Sequence, residues 1–103
     1  MEITISKDKD KALVNIRGKI DEEGADQLKA SFSAMLAAKP KEVVLDMKEV
    51  HHIGSSGIGK ILLFYKNLAI HDGSLQVINL SPLLFELFQE LKLDSIFSVT
   101  KQR

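Results

Sequence analysis

Cysteine is absent from this 103-residue chain, which excludes a disulfide framework, a thiolate metal site and a cysteine nucleophile, and suits a reducing compartment. Net charge is absent as well. Fourteen basic residues balance fourteen acidic ones, so no global field draws the protein toward nucleic acid or an anionic membrane, and recognition has to be local. No apolar run approaches the length of a membrane span, and Met1 to Asp10 is charged and alternating, without the apolar centre of a signal peptide. A cytoplasmic protein with no membrane insertion is expected. Repeats, low-complexity tracts and Pro/Gly/Ser linkers are also missing. With 45% hydrophobic residues, the chain suits one core and one domain bounded by its ends, 1–103.

What is present is periodicity. Glu2 to Ser6 alternates polar and apolar, Lys7 to Lys11 is a charged turn, and Ala12 to Ile16 alternates again, which predicts a hairpin. Gly18 then breaks the strand. Asp21 is placed to cap a helix whose stripe is Ala25, Leu28, Phe32, Met35 and Leu36, and Pro40 stops it. Val43-Val44-Leu45 reads as a strand buried on both faces, as a central strand covered by helices would be. Ile58, Ile61, Leu62, Tyr65, Leu68 and Ala69 mark a second helix that ends before Asp72-Gly73. Leu75, Val77 and Leu80 make the next strand. Ser81-Pro82 is an N-cap followed by proline at the first helical position, and Leu84, Leu87, Phe88 and Leu91 give a third stripe. Ile96 to Val99 adds a short edge strand. Strands alternating with helices in this way predict an α/β sheet with helices packed on it.

The most informative stretch is Gly54-Ser55-Ser56-Gly57-Ile58-Gly59-Lys60. Two hydroxyls sit between glycines at the mouth of a helix, where the first N–H groups favour negative charge. Such a hydroxyl can carry a phosphate without wrecking the fold. The stretch also fits G-x-x-x-x-G-K, the pattern of a phosphate cradle, and a small nucleotide-binding module is a competing reading. Against it, Ile61 stands where Ser or Thr should hold magnesium, and Asp46 precedes the loop instead of ending a later strand. It is not a nucleophile elbow either, because position 58 is Ile58 where glycine would be needed. His51 and His52 invite a base or metal-ligand reading. The plainer account is that adjacent residues on an extended segment point to opposite sides, one packed and one solvated, with no third ligand at a suitable spacing. Leu63 and Phe64 fall outside the main stripe of the second helix, which marks either a partner surface or simply a wide core face. Asp21, Glu22 and Glu23 cluster at a helix start, where dipole compensation alone explains them; alternatively they rim the same interface.

These residues together resemble a known family. Val43 to Asp46, a short polar link and Ile53-Gly54-Ser55-Ser56-Gly57-Ile58-Gly59 are similar to the signature of STAS domains, specifically the bacterial anti-sigma factor antagonists, with its pattern of Asp, Ser, Ser or Thr, Gly, apolar, Gly. Gly18-Lys19-Ile20-Asp21, Gly73-Ser74-Leu75, Asn79-Leu80-Ser81 and Leu87-Phe88 are similar to further segments of that family. No one motif is specific; their order and separations carry the likeness over nearly the whole chain. The resemblance implies an α/β fold with a mixed, mostly parallel sheet of about four to five strands and three or four helices in a βββαβαβαβ-like order. It implies a partner-switching regulator of transcription, a phosphoprotein in signal transduction that is no enzyme itself and needs no metal or cofactor. An anti-sigma factor that is also a serine kinase of the histidine-kinase-like ATPase superfamily would phosphorylate Ser55, with Ser56 the alternative acceptor. A PP2C-type phosphatase would reverse this, and nucleic acid would not be touched directly. The partner face it implies takes in Asp21, Glu22, Gly54, Ser55, Ser56, Gly57, Ile58, Lys60 and Phe64. One position departs: Gly54 stands where the family has Asp, and a glycine can neither cap the helix by a side chain nor help place the hydroxyl. That departure favours a second reading, a STAS scaffold subunit on a transporter ATPase or in a signalling assembly, not phosphorylated.

Overall fold

The computed structural model describes residues 1–103. Strands β1 (Glu2–Asp8) and β2 (Lys11–Ile20) are followed by helix α1 (Glu22–Leu36), β3 (Glu42–Ile53), α2 (Ser55–Ile70), β4 (Ser74–Leu80), α3 (Pro82–Glu90), a short 3-10 turn (Leu93–Ser95) and β5 (Ser98–Lys101). Two strands precede α1, as the alternation predicts, and the third leading strand of a βββαβαβαβ order does not form. The first twenty residues are used up by a hairpin whose reversal is a tight turn, with Lys9 at φ 55°.

The strands lie in chain order across a five-stranded sheet, β1 antiparallel to β2 and the others mutually parallel. Three successive crossovers run in one direction along the sheet, and connections of the usual right hand lay all three helices on the same face. One core results. Val14, Leu45 and Val77 from neighbouring strands meet Leu28 and Phe32 of α1, Ile61 and Phe64 of α2, and Leu84 and Phe88 of α3 in a single apolar cluster. The other face carries no helix, which corrects the expectation that β3 is covered on both sides. Val44 points to that bare face and is still only 7% exposed, because Leu13 and Gln76 flank it on the adjacent strands.

Two further expectations fail at β3 and β2 for one reason. Between Asn15↔Asp46 and Lys19↔His52 the β2–β3 pairing shifts register twice, so β3 carries extra residues. Each bulge breaks the period of two. Lys48 with Glu49, and His51 with His52, consequently face solvent in consecutive pairs, and Val50 and Ile53 are the buried positions between and after them. Neither histidine packs. The supposed polar link is thus strand, and β2 likewise runs on through Gly18 to Ile20, the glycine taking φ 106° where the irregularity needs it.

Helix α2 is the middle one of the three, and its buried positions are Gly57, Ile61, Phe64 and Leu68. This corrects Phe64, which is 1% exposed and cannot face a partner. Its ring stacks on Phe32 of α1 at 4.0 Å between centroids and 8° between planes, and on the far side Tyr65 tilts against Phe97 at 5.7 Å. With neighbours on two sides as well as the sheet beneath, the helix buries an arc wider than a single amphipathic stripe. Phe64→Ala is expected to destabilise the fold by about 3–5 kcal/mol, read from urea unfolding at constant m-value, since it removes a ring that the stack cannot refill.

Candidate functional site

The carboxyl ends of β2 and β3 lie side by side, and each feeds a helix at once. The Gly54 N–H donates to the Ile20 carbonyl at 2.9 Å, tying the start of α2 to the end of β2. Asp21 is the N-cap of α1, its Oδ1 accepting from the Gly24 N–H at 2.8 Å. That bond holds the Asp21 carboxyl below the usual carboxylate range; Lys19 and the N-terminal amino group act in the same direction and partial desolvation opposes them.

Gly54 is the N-cap of α2 and offers no side-chain bond. The Ile58 N–H reaches the Gly54 carbonyl at 3.2 Å, so the first N–H groups of α2 before it have no helical acceptor and remain available to an anion. Ser55 and Ser56 open the helix, both exposed. Beside Ser56, a depression of about 510 Å³ is lined by Glu22, Glu23, Ala25, Asp26, Ser56 and Lys60. Three carboxylates from the first turns of α1 thus share a hollow with a serine and a lysine one turn apart on α2.

The structure therefore brings Asp21, Glu22, Gly54, Ser55, Ser56 and Lys60 to one end of the sheet. Ile58 is half-buried and leans on the core. Gly57 is buried and corrects the expectation of a contact residue: a Cβ there would stand 2.5 Å from Ile20 Cγ2 and 3.0 Å from Ile53 Cγ1. Its part is to let α2 descend onto the two strand ends. Residues 55–60 are helical throughout, so the G-x-x-x-x-G-K pattern does not form a phosphate cradle; its later N–H groups are already turned into the helix ladder. His51 and His52 lie across Gly54 from the acidic turn. They border a second hollow of about 320 Å³ with Leu83, Leu87, Glu86 and Glu90 of α3, and no three His, Asp or Glu side chains converge as a metal site. Asp26 and the largely exposed Leu83 were not singled out by pattern. Leu83 lies outside the 84-87-88-91 stripe, and that was the available signal.

The family model described as "Mlab, STAS domain" matches residues 3–100. A relative from Bordetella bronchiseptica that carries the name of an anti-sigma factor antagonist, BtrV, is 30% identical over 103 residues, covering 100% of this chain and 89% of its own. Among solved structures, an anti-sigma factor antagonist from Mycobacterium paratuberculosis superposes with a TM-score of 0.86 at 23% identity, over 96% of this chain and 84% of the other. The Bacillus cell fate determinant SpoIIAA in its phosphorylated form superposes with a TM-score of 0.77 at 18% identity, over 95% and 90% of the two chains. These structural matches share the fold described above.

Two outcomes test this geometry. Gly57→Ala is expected to lower stability by about 1–2 kcal/mol in urea unfolding, because stiff, β-branched Ile20 cannot clear the new methyl and the overpacking outweighs alanine's better helix propensity. Asp21 has a depressed folded-state pKa, so its contribution is complete above the unfolded carboxylate pKa, about 4, and is lost as pH falls through the lower folded value. Unfolding measured from pH 6 down to pH 2 should show Asp21→Asn losing less stability than the parent chain on acidification.

Proposed function

Given that the chain belongs to the STAS domain family, we propose that it is a cytoplasmic anti-sigma factor antagonist whose residues 1–103 act as one switching unit. In this reading the unmodified chain binds an anti-sigma factor of the histidine-kinase-like ATPase superfamily through the ends of α1 and α2, and sigma factor is released. The partner phosphorylates Ser55, which ends the contact, and a PP2C-type phosphatase restores it. The chain is the acceptor of the phosphoryl group and not its catalyst, since ATP and magnesium belong to the kinase. The relative named as an anti-sigma factor antagonist, alike along the whole of this chain, supports the reading.

One observation carries it. Ser55 is exposed at the first position of α2, above N–H groups that no side chain caps. A phosphoserine brings about −1.5 to −2 charges, and a helix N-terminus favours a nearby negative charge by about 0.3–1 kcal/mol, so the free protein accommodates the group. Against a partner the sign reverses. Burial without a matching cation costs several kcal/mol, and about 3 kcal/mol is already a hundredfold in affinity. Affinity switches while the fold persists.

A scaffold reading, in which the chain docks without being phosphorylated, is favoured by Gly54, which has no carboxylate to help place the Ser55 hydroxyl. Intact-mass analysis separates the two. Incubation with purified anti-sigma factor kinases of this superfamily and Mg-ATP is expected to add one phosphoryl group, lost in Ser55→Ala. Ser55→Ala should keep the parent affinity in calorimetry, and Ser55→Asp should weaken it at least tenfold. Equal binding by the two variants refutes the switch, and an unmodified chain beside a phosphorylated control supports the scaffold.

A further inference from the structure

Gly59 lies inside α2, four residues after Ser55, and is exposed. A glycine there weakens the helix relative to alanine, so something should require it. The fold does not. A Cβ built at Gly59 meets no atom within 4 Å, in contrast to the crowding at Gly57, and the one glycine with positive φ is Gly18. The missing side chain instead leaves a bare strip of helix backbone on the outer face of α2, between Ser55 one turn before it and Leu63 one turn after. Leu63 is 50% exposed and edges a shallow groove between α1 and α2 in which Leu36 also lies.

We propose that Gly59 is a contact position for the main chain of the protein partner, whose segment crosses α2 in this notch. The apolar edge at Leu63 and the carboxylates of Glu22, Glu23 and Asp26 beyond Lys60 specify that segment: one apolar side chain set on Leu63 and a Lys or Arg directed to the first turns of α1. The inference rests on the docking reading above and sharpens its regulation. Residues four apart on a helix have Cβ atoms about 5–6 Å from each other, so a phosphoryl group on Ser55 stands over the notch. No side chain at position 59 is there to shield it, so its bulk and its hydration shell fill the strip that the visitor's main chain would cover.

The test uses the full chain and the purified anti-sigma factor kinase of the Ser55 experiment. Gly59→Ala is expected to raise Tm by about 2–5 °C while weakening Kd about tenfold, and Gly59→Gln to weaken it about a hundredfold with a native circular dichroism spectrum. Opposite signs for stability and affinity are what a purely structural glycine would not produce. A lowered Tm in Gly59→Ala, or a Gly59→Gln chain that binds like the parent, overturns the proposal. Should the parent chain bind and Ser55→Asp fail while Gly59→Gln binds normally, the docking reading stands and the notch falls. A parent chain that binds none of these kinases overturns the two together.

Discussion

The first turn of α2 rests directly on the side chains of Ile20 and Ile53, at a separation only a residue without a Cβ can take, and the Gly54 N–H closes the same corner on the Ile20 carbonyl. Because β2 and β3 are parallel neighbours, their carboxyl ends stop together and two helix N-termini emerge side by side. The consequences follow from that corner. Gly57 points inward, so Ser55 and Ser56 point out; Asp21 is spent on capping α1, so Glu22, Glu23 and Asp26 form the rim; and Lys60, a turn further along α2, closes it. A side chain at position 57 would lift α2 and tilt every group on this surface.

The rest of the sheet holds the elements that meet at this corner through packing on one face and hydrogen bonds on the other. All apolar contact with helices is on one face, where the Phe32–Phe64 stack binds α1 to α2. On the bare face, Asp46 accepts from the Asn79 side-chain amide at 3.1 Å and from the Lys48 N–H at 3.0 Å, clasping β3 to β4 at the last residue pair before they separate. Past that clasp β3 bulges and continues with β2 alone. This separation is what opens the hollow between His51, His52 and α3 beside Gly54. Such a layout agrees with a site at the carboxyl ends of parallel strands, the place where an α/β sheet leaves room for recognition.

Much of this was legible in the chain itself because the signals are local. Asp21 and Ser81 do cap α1 and α3, Pro82 does open α3, and the alternation around Lys9 does fold as a hairpin. Each depends on a side chain bonding to a backbone within three residues or on a fixed period. The misses are all cases in which a distant element intervened. Phe64 is core because α1 supplies Phe32; His51 and His52 are both solvated because β2, thirty residues earlier, imposes bulges on β3; Val44 sits on a face with no helix because the crossovers share one hand.

Composition, caps and periodicity by themselves determined that this is a small α/β protein with a serine pair heading a helix, since those features act through neighbouring residues and need no third dimension. Tertiary structure alone decided which glycine is a packing necessity and which is bare. Gly57 and Gly59 are two residues apart and chemically identical, yet the helix's hundred-degree step per residue aims one at Ile20 and Ile53 and leaves the other facing open space.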